Sequence, residues 1–412
     1  MPEARRVESC RLCGGPAPTP FLSLGETPIA NALLGEGDLD QVEPRYPLEI
    51  GFCSECSLVQ LTFELPAETI FNETYPYYSS FSDDLCRHSR AQALSLIESR
   101  ALNDQSLVVE VASNDGYMLR NFVEAGIPVL GIEPTPGPAA VARSAGIPTL
   151  ERFFTSDLAE RLASDGVEAD VIIANNVMAH VPDLNGFVAG FRRILGQDGV
   201  ITIENPYIRD LIENAEFDTI YHEHFCYFSC SAVARLMRRH DLYLNDVEYF
   251  PDLHGGTLRW YVERREAPTR RVLEYLAAEQ EDGLCGFSYY AAFGRRVEQT
   301  KAALGDLLRS LRASGAEIGA YGAAAKGATL LNSAGIDNSL VSFVVDRNTH
   351  KQGFWMPGAR LPILDPSVLL ERQPDFLLLL AWNFKDEIMQ QQEEFHRRGG
   401  RFIVPIPSPK IL

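Results

Sequence analysis

The stretch "YHEHF", residues 221–225, sets a phenol, two imidazoles and a carboxylate in four consecutive positions. An imidazole titrates near neutral pH and can take and return a proton. A phenol can donate to a developing oxyanion, and a carboxylate can orient an imidazole or accept from a substrate. Three readings stand: an acid–base centre, a metal site, or a polar loop without chemistry. The metal reading needs H-x-x-x-H on a helix, as in HExxH, and H-E-H lacks that spacing. A strand would turn Tyr221 and Glu223 to one face and His222 and His224 to the other. A site shared by Tyr221, Glu223 and His224 therefore requires irregular backbone.

A second group is "CRLC" and "CSEC", holding Cys10, Cys13, Cys53 and Cys56. Each C-x-x-C lets one tight turn offer two thiolates, and two such turns fill a tetrahedral ion at about 2.3 Å with no position left open. That is the pattern of a structural zinc; the alternative is four unrelated thiols. The connecting segment, 14–52, is longer than in short zinc ribbons, which leaves the subtype open. Cys86, Cys226, Cys230 and Cys285 show no such pairing and read as small apolar residues.

These groups need elements to hold them. A chain of 412 residues exceeds one ordinary core and predicts two or three domains. The formal net charge of −19 argues against nucleic acid or an anionic membrane as the main partner. The opening "MPEARRVESC" has no apolar signal region, and "FLLLLAW" (376–382) is too short to span a bilayer. The expectation is a cytoplasmic protein, where eight cysteines would not form disulfides.

In the middle of the chain, "SLVVEVASNDGYMLRNFVEAG" (106–126) reads as a buried strand, a Ser-Asn-Asp-Gly turn and a helix. Further strands are expected at 128–134, 170–181 and 199–206, with a helix in "AAVARSAGI". Alternating strands and helices imply a parallel sheet with ligands at the carboxyl ends of its strands. The first turn is not G-x-G-x-x-G: only Gly116 is present, and Asp115 would repel a phosphate. A nucleoside ligand without phosphate fits better, and S-adenosylmethionine is one. Glu110, Ser113, Asn114, Asp115 and Gly116 belong to this turn. Glu133, before Pro134 at the end of the second strand, could take two ribose hydroxyls or be a solvated strand end. Asn175 and Asn176 could hold a methionyl ammonium or an adenosine edge, or simply turn the chain.

The last hundred residues hold a second such unit. "EIGAYGAAAKGATLLNSAG" (317–335) reads as strand, small-residue turn and helix. Strands are expected at 340–348, ending at Asp346, and at 374–384, with Trp382 and Asn383 at the tip. The turn, with Lys326 in it, could receive the diphosphate of a sugar nucleotide; its glycines could equally serve only packing. Residues 270–315 read as one or two amphipathic helices bridging the units. The aromatic segment "FNETYPYYSSFSDD" (71–84) reads as a loop, either closing over a ligand or linking domains.

The zinc-type cysteines, "VEVASNDGYML", "VLGIEP", "ANNVMAHVPDL", "FDTIYHEHFCYFS", "LHGGTLR" and "YGAAAKGATLLN" occur in this order. Together they resemble the S-adenosylmethionine-dependent sugar C-methyltransferases of antibiotic deoxysugar pathways, over nearly the whole chain. The resemblance implies an α/β fold in three parts: a zinc-binding domain (1–70), a Rossmann-like methyltransferase domain (71–265), and a helical bridge with a C-terminal Rossmann-like domain (266–412). It implies a monomer that methylates a ring carbon, most simply C-3, beside the 4-keto group of a (d)TDP-linked deoxysugar. The methyl of S-adenosylmethionine is an electrophile, so the carbon must be made nucleophilic by losing a proton to the protein. His224 is then the base, Tyr221 a donor to the enolate oxygen, and Glu223 an orienting group. His180, Tyr75 and Tyr78 match further active-site positions. Phe154 joins the cofactor residues. His222, His254, Lys326, Asn332, Trp382 and Asn383 are expected to touch the sugar nucleotide. Two rival classes remain: an NAD-dependent oxidoreductase and a zinc-bearing binding module without catalysis.

Overall fold

The computed structural model describes residues 4–70, 78–253 and 255–412. Tyr75 and His254 lie outside the described residues, as does most of the first half of the aromatic segment 71–84. Near the N-terminus, β1 (Thr19–Thr27), β2 (Tyr46–Phe52) and β3 (Val59–Leu61) form an antiparallel sheet. Its fourth strand comes from far along the chain: Cys226–Tyr227 pairs with β3, with Cys226 opposite Gln60 and Tyr227 opposite Val59. The zinc-type module is thus completed by the residues that directly follow the Tyr-His-Glu-His stretch.

The central sheet uses β4 (Val108–Val111), β5 (Val129–Ile132), β6 (Thr149–Leu150), β7 (Ala169–Asn175), β8 (Leu195–Pro206), β9 (Tyr243–Phe250) and β10 (Thr257–Glu263). Their order is β9-β10-β8-β7-β4-β5-β6. Strands β4 to β8 are parallel to their neighbours, and β10 runs antiparallel to both β8 and β9. The chain leaves β4 towards β5 and β6, then returns to β7 on the other side. Between β4 and β7 the order reverses, and an open α/β sheet binds its ligand at such a switch point. "VVEV" and "VIIA" suit these strands because β-branched residues fill a sheet covered on both faces.

Helix Asp83–Ser99 covers one face of this sheet. Ser82 caps it by accepting from the Leu85 amide, Asp83 and Asp84 lie in its first turn, and Leu85, Ser89, Gln92, Ala93 and Leu96 form its buried stripe. The sequence reading had none of this helix. Helix Leu184–Ile194 is capped by Asp183 and buries Leu184, Phe187, Val188, Phe191 and Ile194 at helical spacing. Each such side chain contributes about 1.5–3 kcal/mol on burial.

The C-terminal sheet orders β11 (Ile318–Tyr321), β12 (Val344–Val345), β13 (Ile363–Leu364), β14 (Phe376–Leu379), β15 (Arg401–Val404) and β16 (Lys410–Ile411) as β13-β12-β11-β14-β15-β16. All but the last are parallel. The strand expected at 340–348 shortens to two residues. The bridge resolves into Arg270–Glu281 and Phe293–Ala313, with a short turn of helix at Phe287–Tyr290 between them. Buried Glu279 ties this bridge to the central domain: it accepts from the Tyr207 hydroxyl (2.9 Å) and from the Cys230 and Ser231 amides (2.7 and 2.8 Å) that open helix Cys230–Arg238. Among the described residues, no helix is long and apolar enough to cross a membrane.

Candidate active site

Cys10, Cys13, Cys53 and Cys56 converge so that their four Sγ atoms all lie within 4.8 Å of one another. Both knuckles close by the same backbone turn: the Gly14 amide donates to Cys10 O at 2.9 Å, and the Ser57 amide to Cys53 O at 2.8 Å. Gly14 and Ser57 take positive φ to do so. Gln60, fully buried, donates its Nε2 to Cys10 Sγ at 3.1 Å, a contact that suits a thiolate ligand. The donor set and spacing fit a closed zinc site with four thiolate ligands.

The cofactor turn follows β4. Ala112, Asn114 and Gly116 all have positive φ, so the turn is tight and locally strained. At Gly116 (φ +80°) the left-handed backbone favours glycine, and a Cβ would meet the end of the Ile147 side chain at 2.3 Å. Glu133 accepts the Asn114 amide at 2.9 Å and the Thr135 amide at 2.8 Å, and also the Thr135 hydroxyl. A carboxylate has about four lone-pair sites, so capacity remains for a further donor. Oε2 of Glu110, Oγ of Ser113, Oδ1 of Asp115 and Oδ1 of Asn175 are buried and have no hydrogen-bond partner among the described residues. Burial, and then Asp115 and Glu133, hold the Glu110 carboxyl group well above the usual range. A pocket with excess buried acidity and several orphaned acceptors fits a cationic ligand with several N–H and O–H donors. S-adenosylmethionine is such a ligand.

Asn176 turns the chain at φ +54° and donates its amide to Glu204 O at 2.7 Å. Tyr78 sits over this region. Its ring stacks on His350 of the C-terminal domain at 4.4 Å, and its hydroxyl lies 2.5 Å from where a Cβ on Gly137 would be. The next two residues clamp the turn: the Ser79 amide donates to Asn114 Oδ1 (2.9 Å) and the Ser80 amide to Asp115 Oδ2 (3.1 Å). The Phe154 ring packs against Phe187 and Phe191, with centroids 5.6 and 5.4 Å away, as part of the core.

Residues 221–225 form no strand. The His224 amide donates to Tyr221 O at 2.9 Å, a turn that brings side chains 221 and 224 together. His224 Nδ1–H donates to the Thr219 carbonyl at 2.9 Å, which leaves Nε2 as an acceptor. The Tyr221 hydroxyl donates to that Nε2 at 2.8 Å. The His180 ring stands edge-on to His224 at 4.7 Å, and burial lowers its pKa to about 4. Buried Glu223 accepts from Asn31 Nδ2 through both oxygens, at 2.8 and 2.9 Å. His222 was expected to touch substrate. It is buried against the zinc domain: Nε2–H donates to Pro47 O at 3.3 Å, its ring meets Tyr46 edge-on, and burial lowers its pKa to about 4. Its Nδ1 is buried without a hydrogen-bond partner among the described residues.

The C-terminal turn meets this segment at the short helix Phe217–Thr219. Trp382 Nε1–H donates to buried Asp218 at 2.6 Å, and the Lys326 ammonium lies 4.5 Å from the Trp382 ring centre. Lys326 Nζ and both amide atoms of Asn383 are buried without hydrogen-bond partners among the described residues. Glu216 and Asp210 lie close by, their carboxyl groups pushed up by burial to about 8 and about 6. Asn332 donates its side-chain amide to Ala328 O and Pro357 O, both at 2.9 Å.

Three family models match the chain. A zinc binding domain covers residues 10–71, a methyltransferase domain 84–247, and a C-methyltransferase C-terminal domain 252–407. Along its length the chain is 35% identical to C-methyltransferase NovU of Streptomyces niveus, covering 99% of this chain and 97% of that one. The chain belongs to the C-methyltransferase family. A ubiquinone biosynthesis O-methyltransferase of Azorhizobium caulinodans is 28% identical over 29% of this chain and 47% of its own. Among solved structures, the magnesium protoporphyrin IX methyltransferase of Synechocystis PCC 6803 matches 44% of this chain and 79% of its own at 11% identity, with a TM-score of 0.34, too low to carry an argument.

This C-methyltransferase uses S-adenosylmethionine and carries a structural zinc site. Several buried polar residues around these turns had no signal in the sequence. Asn31 reaches Glu223 across 192 positions. Gln92 and His88 sit on the helix that sequence reading lacked. Asn205, at the end of β8, is buried with both amide atoms unpartnered among the described residues. Tyr227 has a buried hydroxyl likewise unpartnered among the described residues, its ring 6.1 Å from that of His224.

Proposed function

We propose that this methyltransferase acts on a (d)TDP-linked 4-keto deoxysugar of antibiotic deoxysugar biosynthesis and methylates the ring carbon beside the ketone, C-3, through an enolate. The observation that carries the reading is the Tyr221–His224 pair, with Nδ1 of the imidazole committed to Thr219 O and Nε2 left basic. A carbon acceptor has no lone pair, so a C-methyltransferase needs a base where an O-methyltransferase can manage without one. A C–H beside a ketone is acidic enough for imidazole, because the charge moves to oxygen.

His224 Nε2 takes the proton, and the C–H electron pair moves to the ketone oxygen. Once protonated, Nε2 no longer accepts from Tyr221, and the phenol is released to donate to the enolate oxygen. His180 stays neutral beside the new imidazolium, so no like charge opposes it. When bound, S-adenosylmethionine supplies an electrophilic methyl group to the nucleophilic carbon. Lys326, Trp382 and Asn383 are the side chains proposed to face the sugar nucleotide. Lys326 shares its charge with Asp218 and Glu216. The test is incubation with labelled S-adenosylmethionine and a panel of thymidine diphosphate 4-keto sugars, with the product examined by NMR. The label is expected on the ring carbon next to the ketone. Label on oxygen, or none with any 4-keto sugar, overturns the reading.

A further inference from the structure

We propose that Gln92 is a positioning residue that fixes the Asn175 amide as an acceptor for the α-ammonium of S-adenosylmethionine. The proposal rests on Asn175 lying in the cofactor pocket. Gln92 is buried in helix Asp83–Ser99. Asn175 Nδ2 donates to Gln92 Oε1 at 2.8 Å, and Gln92 Nε2 donates to the buried hydroxyl of Thr202 at 3.2 Å. This relay joins the helix to the end of β7 and to the middle of β8. With one Nδ2–H held by Gln92, the amide's orientation is fixed, and its Oδ1 is buried and unpartnered among the described residues. An orphaned buried acceptor is unfavourable, a penalty that a ligand donor removes.

Register shows which donor suits it. In the parallel pairs Glu110 lies opposite Ile173, and Ile173 and Asn175 lie opposite Thr202 and Glu204. Neighbours in register share a face, so Glu110, Asn175, Thr202 and Glu204 all lie on the face under the helix. One turn before Gln92, His88 bonds Glu204 on this face at 3.0 Å, and Arg259 pairs with the same carboxylate. The helix is thereby pinned at two points four residues apart. Glu133 ends β5, on the far side of β4 from β7. A ribose held at Glu133 sends the adenine beyond β5 and the amino-acid end towards β7. The unpartnered oxygens of Glu110 and Asp115 make that end favourable for a cation.

The experiment measures the dissociation constants of S-adenosylhomocysteine and of two analogues, one lacking the α-amine and one lacking the α-carboxylate, by calorimetry. In the wild type, loss of the amine should weaken binding by roughly tenfold or more. In Gln92→Leu that sensitivity should shrink to within about threefold, with carboxylate sensitivity unchanged. Gln92→Glu keeps an acceptor for Asn175 Nδ2 and should keep the amine sensitivity. If Gln92→Leu weakens all three ligands equally, Gln92 is merely structural and the proposal fails. Loss of carboxylate sensitivity instead means that the Asn175 amide faces the other way, which also defeats it. Unchanged affinity in Asn175→Ala removes the pocket assignment itself, a failure distinct from that of the positioning role.

Discussion

The cofactor turn and the Tyr221–His224 turn are both tight, buried and polar, yet they are held in different ways. Asn114, Glu133, Thr135 and Asn175 lie between positions 114 and 175 and bond to one another and to one helix with the residues just before it. The 221–225 turn is held from outside. Asn31 and Pro47 reach it from the zinc domain, Leu61 donates its amide to Phe225 O, and Trp382 holds Asp218 just upstream. One half of the active site is a local product of an α/β sheet. The other exists only where three parts of the chain meet. The zinc module, remote from residues 221–225 in sequence, is in this sense part of what holds the proposed acceptor site.

The comparison can be broken first at the metal. Complete chelation of the zinc should abolish methyl transfer, because the sheet that carries Cys226–Tyr227 loses its closure, while the dissociation constant for S-adenosylhomocysteine stays within about threefold. Full activity after verified metal removal would refute the coupling. Asn31→Ala should lower kcat by roughly 10- to 100-fold, the worth of a charge-assisted hydrogen bond, without change in cofactor affinity. An equal fall in both would mean general destabilisation. Trp382→Phe removes a donor from buried Asp218. It should lower kcat/KM for the sugar nucleotide by about tenfold and again spare the cofactor.

How much of this was legible in sequence follows the same division. Strands β4, β5, β7 and β8 and the Ser-Asn-Asp-Gly turn were readable because apolar runs and turn residues are local signals. The four zinc ligands were readable because their spacing is itself the geometry. Irregular backbone at 221–225 followed from asking which side chains had to share a face. Asn31 was not readable, because no period links it to Glu223. The bond from His222 to Pro47 was not readable either, because in four consecutive polar residues nothing local tells which one packs on a distant domain. Helix Asp83–Ser99 was missed beside an aromatic segment that drew attention to loops, and Gln92 went with it.

The smallest effect concerns stability and pH. His222 is lowered to about 4 by burial, so the unfolded chain binds its proton first as pH falls. Its contribution is present above pH 6.5 and is lost between there and 4, at up to roughly 1.4 kcal/mol per pH unit. His222→Gln should therefore be less stable than wild type at pH 7, and the gap in urea unfolding should narrow by up to about 2 kcal/mol at pH 5. A gap that stays constant or widens would mean that the buried imidazole is not neutral.

The central claim is that His224 makes a carbon nucleophile, and solvent exchange reads it without any methyl transfer. A thymidine diphosphate 4-keto sugar that the enzyme methylates would be incubated in deuterated water with S-adenosylhomocysteine in place of the methyl donor. Loss of the proton signal at the acceptor carbon would be followed by NMR. The wild type should exchange that proton well above the buffer rate. His224→Asn should slow the exchange by roughly 10²- to 10⁴-fold while binding S-adenosylhomocysteine as before. Exchange at the wild-type rate in His224→Asn would contradict the account.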